Sequence, residues 1–356
     1  MKSGKLIVGV IVLVVLMGCG IWAYYHVAFS FANFKAQLAM ADWSKMAIGL
    51  GCIYLGYVFR GVRWVLLIRH NKKVGLFSLV GTQVIGFSSV ALVGRVADLT
   101  RPYLIAKKTG LTLSTQIAVY IVERLFDAGA MALIFSSAIL LAPAGSLPHP
   151  EVFKKVGYYG LAGTVAGALF LVLIRVAGGA VATFFEKSFG LLSKSLGQAM
   201  GEKIRSFRTG LDTLRSGSDL LITLAISLGM WGLITVAYLE TCLAFVASPQ
   251  LASMTLAKCM VLLVVSGGAS AFQLPVLGWF TQIGVVATAM SSFFGVAPEP
   301  ATACAAMILV VTFLGIVPVG LIWAQFAHVS LRKVAEESEQ AGETVVVAPV
   351  EEPSEA

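Results

Sequence analysis

Long uncharged stretches alternate with short polar ones along the chain, with apolar blocks at approximately 6–25, 46–68, 76–94, 114–142, 156–177, 219–247, 254–294 and 301–327. Several pass the roughly 18 residues that mark a membrane-spanning helix. From Cys259 to Pro298 there is no Asp, Glu, Lys or Arg at all. The pattern predicts an all-α, polytopic membrane protein. Two blocks do not fit simple spans. If 76–94 crossed from the inside, the Lys107/Lys108 loop and the 178–217 loop, with Lys187, Lys194, Lys203, Arg205, Arg208 and Arg215, would both lie outside, against the positive-inside rule. A segment 76–110 that dips in and returns puts both loops inside. Block 254–294 is too long for one helix and is broken at Gly267-Gly268, Pro275 and Gly278. A second hairpin, entering from the outside, leaves Arg332 and Lys333 cytoplasmic and Lys35, Lys45, Lys154 and Lys155 outside; two ordinary spans are the alternative. The expected architecture is six full spans plus two broken or re-entrant hairpins from opposite faces, the pattern of transporters with a site near the midplane.

Composition supports this. Hydrophobic residues make up 58% of the 356-residue chain, charged residues 12%, and the mean hydropathy is +0.88. A soluble domain of this length needs about twice that charge. The net charge of +8 suggests nucleic acid. Its Lys and Arg residues, however, sit in short loops beside apolar blocks, as orientation signals and anionic-lipid contacts do, and no nucleic-acid partner is expected. Cys19, Cys52, Cys242, Cys259 and Cys304 all lie in apolar runs without CxxC or metal spacing, so no metal or cofactor is expected. Lys2 and Lys5 before Leu6–Met17 resemble a signal peptide, but the run continues to Trp22, Tyr24 and Tyr25, an interfacial belt, and reads as an uncleaved helix. Residues 1–330 form the expected transmembrane domain. Within it, 183–217 carries a stripe of Met200, Ile204, Phe207, Leu211 and Leu214 opposite basic residues, as in a helix on the cytoplasmic leaflet. Residues 331–356 read as an acidic, disordered tail. Both termini are expected in the cytoplasm, with the chain in the cell (inner) membrane.

Charges inside the blocks carry the functional signal. Glu123, Arg124 and Asp127 lie about ten residues into the third full span, with Glu123 and Asp127 on one face at i,i+4. Arg60 and Arg63 are i,i+3 in the inner half of the second span. Each unpaired charge at a helix centre costs about 2.5–3.5 kcal/mol. Ion pairs that glue the bundle would explain Glu123–Arg124–Asp127, and snorkelling would explain Arg60 and Arg63. Taken together, Arg60, Arg63, Arg95, Arg101 and Arg124 outnumber Asp98, Glu123 and Asp127 by two. A purely structural network should balance; an anionic ligand such as a lipid phosphate would supply the missing charge, and the planar guanidinium fork suits phosphate.

The stretch Gly94-Arg95-Val96-Ala97-Asp98-Leu99-Thr100-Arg101-Pro102, with Val122-Glu123-Arg124-Leu125-Phe126-Asp127, resembles the G-R-x-G-E-x-x-R-P … E-R-x-x-D core of the lysylphosphatidylglycerol synthase transmembrane-region family, also called flippase-like. Arg60-x-x-Arg63-Trp64 and Leu274-Pro275-x-x-Gly278 fit as well, and the resemblance spans residues 5–328. Ala97 and Asp98 depart from the usual Gly and Glu, and Gln282 stands near the place of an acid in the late hairpin. Members that synthesise aminoacylated lipid carry a further soluble transferase domain, whereas this chain runs into the acidic tail. The resemblance therefore implies the lipid-translocating part of the activity, not an enzyme: a flippase or transporter for an anionic membrane lipid, such as an aminoacyl-phospholipid, a polyprenyl-phosphate-linked or a terpenoid lipid. The alternatives are a membrane transferase using a lipid-linked sugar, and a non-transporting scaffold for a partner synthase or glycosyltransferase. The expected headgroup contacts are Arg60, Arg63, Arg95, Asp98, Arg101, Glu123, Arg124 and Asp127, with Arg95 and Arg101 leading and Asp98 orienting one guanidinium.

Overall fold

The computed structural model describes residues 30–69, 72–143, 145, 147, 150–211, 216–269, 277–330, 334 and 337. The first apolar block, 6–25, and the acidic stretch from 338 onward lie outside them. Among the described residues the chain is entirely helical apart from turns and connections. A short helix α1 (Phe31–Ala39) leads to α2 (Trp43–Ile68), α3 (Leu76–Val93), a 3-10 turn (Arg95–Leu99) and α4 (Thr100–Thr109). There follow α5 (Leu113–Leu140), α6 (Pro150–Gly190), α7 (Lys194–Leu211) and α8 (Gly217–Leu243). The chain then forms a single turn α9 (Pro249–Ala252), α10 (Leu256–Ala269), α11 (Leu277–Phe294), α12 (Pro298–Thr312) and α13 (Val317–Phe326).

Five helical stretches among the described residues are long and apolar enough to cross a membrane: α2, α3, residues 151–174 of α6, α8, and α12 with α13. Helix α5 has the length, at 28 residues, and differs from them by the three charges at its centre. This is an all-α, multi-pass membrane protein. The first hairpin has the expected form. Helix α3 ends where Gly94 takes φ +90°, a conformation that only glycine adopts freely. The chain turns through the 3-10 segment, and α4 packs back on α3. With ten residues, α4 is about 15 Å long and too short to span. The apolar stretch of α3 is 67% buried in the bundle, against 12% for that of α6, so the hairpin occupies the centre. Helices α10 and α11 pair as a second hairpin, and α10, with 14 residues, is again short for a span. Its tip, 270–276, with Pro275, lies outside the described residues.

Two elements differ from the sequence pattern. The fourth full span, read as ending at 177, continues as a helix to Gly190 with a kink at Ala177. Helix α7 folds back against α6 and α5. Close approach explains it: a Cβ on Gly178 would stand 2.6 Å from Arg208 Cδ, so glycine here admits α7 rather than ending α6. Arg205 also pairs with Glu186 at 2.5 Å. Of the apolar stripe on α7, Ile204 is buried in a cluster with Trp64, Leu67 and Val122; Phe207, Leu211 and Leu214 are outside the described side chains. The last span, read as continuous over 301–327, breaks at Phe313. Pro318 cannot donate to the carbonyl four residues back and stands near the start of α13 instead. The hydroxyl of Tyr54 donates to the half-buried carbonyl of Gly315 at 2.9 Å.

Candidate functional site

The charged residues of α5 meet those of α2 and α4 in the bundle interior. Spacing brings this about: Gln116, Tyr120, Glu123 and Asp127 follow one another by three or four residues and form one stripe on α5. Arg60 and Arg63 share a face of α2 in the same way. Helix α8 completes the ring, starting from a capping box in which Ser216 and Asp219 bond each other's backbone. Arg69, beyond the end of α2, pairs with the same Asp219 and ties the two helices together.

Glu123 is the centre of the network and is 0% exposed. It accepts from Arg63 Nη2 at 2.6 Å, Trp64 Nε1 at 2.9 Å, Arg124 Nη2 at 3.0 Å and Arg101 Nη1 at 3.3 Å. Asp127 accepts from Arg63 Nη1 at 2.5 Å and Trp231 Nε1 at 3.2 Å, and stands 3.0 Å from Arg124. Arg63, itself 0% exposed, also donates to Ser227 at 2.8 Å. Arg101 donates to Gln83 at 3.0 Å and stacks between Phe87 and Tyr120, 4.3 and 4.9 Å from their ring centres. Its stem lies on Gly86, where a Cβ would come within 2.1 Å of Arg101 Cγ.

The four arginines are not equivalent. Arg63 and Arg101 are enclosed and bonded to carboxylates on both or one of their terminal nitrogens. Arg60 is only loosely engaged, 3.7 and 3.8 Å from Glu123 and Asp127, and its buried Nη1 makes no hydrogen bond. It rests on Phe87 at 4.6 Å. The Arg124 side chain is 39% exposed, the most accessible of the group. Among the described residues four guanidinium groups thus face two carboxylates, an excess of two positive charges, with three of the four buried. Burying charge without compensation is costly, and arginine does not shed its proton to avoid the cost. Unfilled hydrogen-bonding capacity accompanies the excess: Gln83 Nε2 and both polar atoms of the fully buried Gln116 are without partners.

Of the residues expected from sequence, the structure brings together Arg60, Arg63, Arg101, Glu123, Arg124 and Asp127. Among the described residues no ion pair joins Asp98 to them, and the carboxylate beside Arg101 is Glu123. Arg95 lies in the 3-10 turn, and its side chain is outside the described ones. Gln83, Gln116, Ser227 and Trp231 are additions that charge counting missed; a buried amide in an otherwise apolar block was the available signal for the first. Farther along the α5–α8 seam lies an open apolar groove of about 740 Å³ lined by Leu133, Ile134, Ala138, Leu228 and Leu256. Among the described residues no group of His, Cys, Asp and Glu is arranged to hold a metal ion.

No curated protein and no solved structure gives a significant match to the chain. The sequence model of the Lysylphosphatidylglycerol synthase TM region matches residues 6–320, which include every member of the charged cluster, and the chain belongs to that family.

Proposed function

We propose that the protein moves an anionic lipid between the leaflets of the cell membrane, with both termini cytoplasmic, and that Arg60 and Arg124 take the headgroup. The observation that carries this reading is the excess of two positive charges around Glu123 and Asp127. A phosphate would neutralise it and fill the unused donor on Arg60. Arg63 and Arg101 have a different task in this account. Bonded to Glu123, Asp127, Ser227 and Gln83, they hold the two carboxylates in position and so set the field at Arg60 and Arg124. Ion-pair glue and ligand binding are therefore divided between members of one cluster. The headgroup exchanges water for fixed guanidinium donors, which lowers the cost of leaving the interface. The hydrocarbon chains stay in apolar surroundings, and the open groove between α5, α8 and α10 has an apolar lining on which one can lie.

Reconstitution into liposomes carrying a fluorescent anionic lipid tests this. Transfer of the anionic lipid is expected to be faster than that of a zwitterionic analogue, and Arg60→Gln should slow it. A rate equal to that of protein-free liposomes contradicts the proposal.

A further inference from the structure

Helix α8 is strongly apolar, yet its buried face carries the hydroxyls of Thr223, Ser227, Thr235, Tyr238 and Thr241. Four of them are returned to their own helix: Thr223, Ser227, Thr235 and Thr241 donate to the carbonyls four residues back, at 2.7–2.9 Å. Tyr238 cannot reach its own backbone in this way. It is buried, and its hydroxyl stands against those of Ser266 on α10 and Thr312 on α12. Ser266, also buried, accepts from Gln282 Nε2 of α11 at 2.7 Å. Gln282 is only 7% exposed, and its Oε1 has no hydrogen-bond partner. This group is joined to the charged cluster through α8. Ser227, Trp231, Thr235 and Tyr238 follow at intervals of four, four and three residues and form one stripe. Ser227 and Trp231 bond Arg63 and Asp127, and Tyr238 stands two turns beyond Trp231, about 10 Å along the helix axis.

Helix contact alone calls for an apolar side chain or an amide paired at both ends, because a half-paired buried amide weakens the packing it joins. The group does not lie in a sealed core. Gly267 and Gly268, next after Ser266, are exposed, as is Gly284, two residues after Gln282. Tyr238, Ser266, Gln282 and Thr312 are all neutral. A ligand ammonium would be desolvated there without a carboxylate to balance it, whereas a hydroxyl can donate to the free carbonyl and bring no charge. We propose that Tyr238, Ser266 and Gln282 form a neutral subsite for headgroup hydroxyls, so that the lipid moved carries a polyol or sugar on its phosphate. The proposal rests on the lipid-transfer reading above and narrows it. Arg60 and Arg124 take the phosphate; as the headgroup advances along the α8 stripe, one of its hydroxyls donates to Gln282 Oε1.

The test uses the full chain in liposomes with either fluorescent phosphatidylglycerol or fluorescent phosphatidylpropanol, which has the same charge and nearly the same size but no headgroup hydroxyl. Phosphatidylglycerol should be transferred about tenfold faster, the worth of roughly one hydrogen bond. Gln282→Leu should bring its rate down to that of phosphatidylpropanol and leave the latter unchanged. Tyr238→Phe, which removes only a hydroxyl, should act in the same direction and serves if thermal unfolding in detergent shows Gln282→Leu to be misfolded. Arg60→Gln should slow both lipids alike. Equal rates for the two lipids in the unaltered protein overturn the subsite, as does a loss in the folded variants that is the same for both lipids, or a preference that survives in them. In each of these cases slowing by Arg60→Gln leaves the lipid reading intact. Transfer of neither lipid above the rate of protein-free liposomes overturns both.

Discussion

The α3–α4 hairpin carries Arg101 onto a buried carboxylate, stacks it between two aromatic rings and shapes itself around it at Gly86. The α10–α11 hairpin, from Leu256 to Phe294, has one charged residue, Lys258, near its start and resting 5.8 Å from the Phe294 ring. It carries a neutral interior hydrogen bond, Gln282 Nε2 to Ser266 at 2.7 Å, and much of its buried face belongs to the largest apolar cluster among the described residues. Among the described residues, the first hairpin is held to the bundle through charge as well as apolar contact and the second mainly through apolar packing. Buried charge is the more costly solution, and it gathers where the first hairpin meets α2 and α5.

The contrast is open to substitution. The largest effect is expected for Glu123→Leu, which leaves Arg63, Arg101 and Arg124 without their shared partner. A loss of about 3–5 kcal/mol is expected, since breaking a buried network strands charge. It should appear as a collapse in monodisperse yield and a much lower unfolding temperature in detergent. Gln282→Glu creates in the second hairpin the charge it lacks, and with no cation bonded to that position it should cost about 2.5–3.5 kcal/mol in the ionised form. Unchanged unfolding of that variant would show that the second hairpin tolerates charge as well as the first. Gly86→Ala presses a methyl group on Arg101; overpacking of this kind costs about 1–3 kcal/mol. Because Arg101 is a positioning residue, the variant should also lower anionic-lipid transfer per folded molecule, read in liposomes. Gln282→Leu removes one neutral hydrogen bond and an already unpaired carbonyl, so its melting shift should be the smallest of the four, about 0.5–1.5 kcal/mol.

Much of the first hairpin can be read from the sequence. Gly94 followed by Arg95, Asp98 and Arg101 is inconsistent with a simple span, and the i,i+3 and i,i+4 spacings on α2 and α5 put their charges on single faces. What spacing cannot show is which helices meet. Ser227 and Trp231 reach the cluster from 164 and 104 residues away from their partners, and no local period links them. Asp98 illustrates the opposite limit. It is close in sequence to Arg101, but it lies in the 3-10 turn where the helical period changes, and the carboxylate bonded to Arg101 is Glu123 of α5. The apolar block 156–177 is a related case. Its helix runs on to Gly190, and at Gly178 the missing side chain makes room for Arg208 of a helix whose position only the tertiary structure reveals.

The central claim is that the positive excess at Arg60 and Arg124 is a headgroup site. Native mass spectrometry of the detergent-solubilised protein with phosphatidylglycerol and phosphatidylcholine measures it directly. The account predicts preferential binding of the anionic lipid. In Arg60→Gln and Arg124→Gln, still folded, the preference should fall about tenfold, as expected from loss of a charge-assisted hydrogen bond of about 1.5 kcal/mol. An anionic preference that is unchanged in both variants would mean that these arginines belong to the scaffold and that the headgroup binds elsewhere.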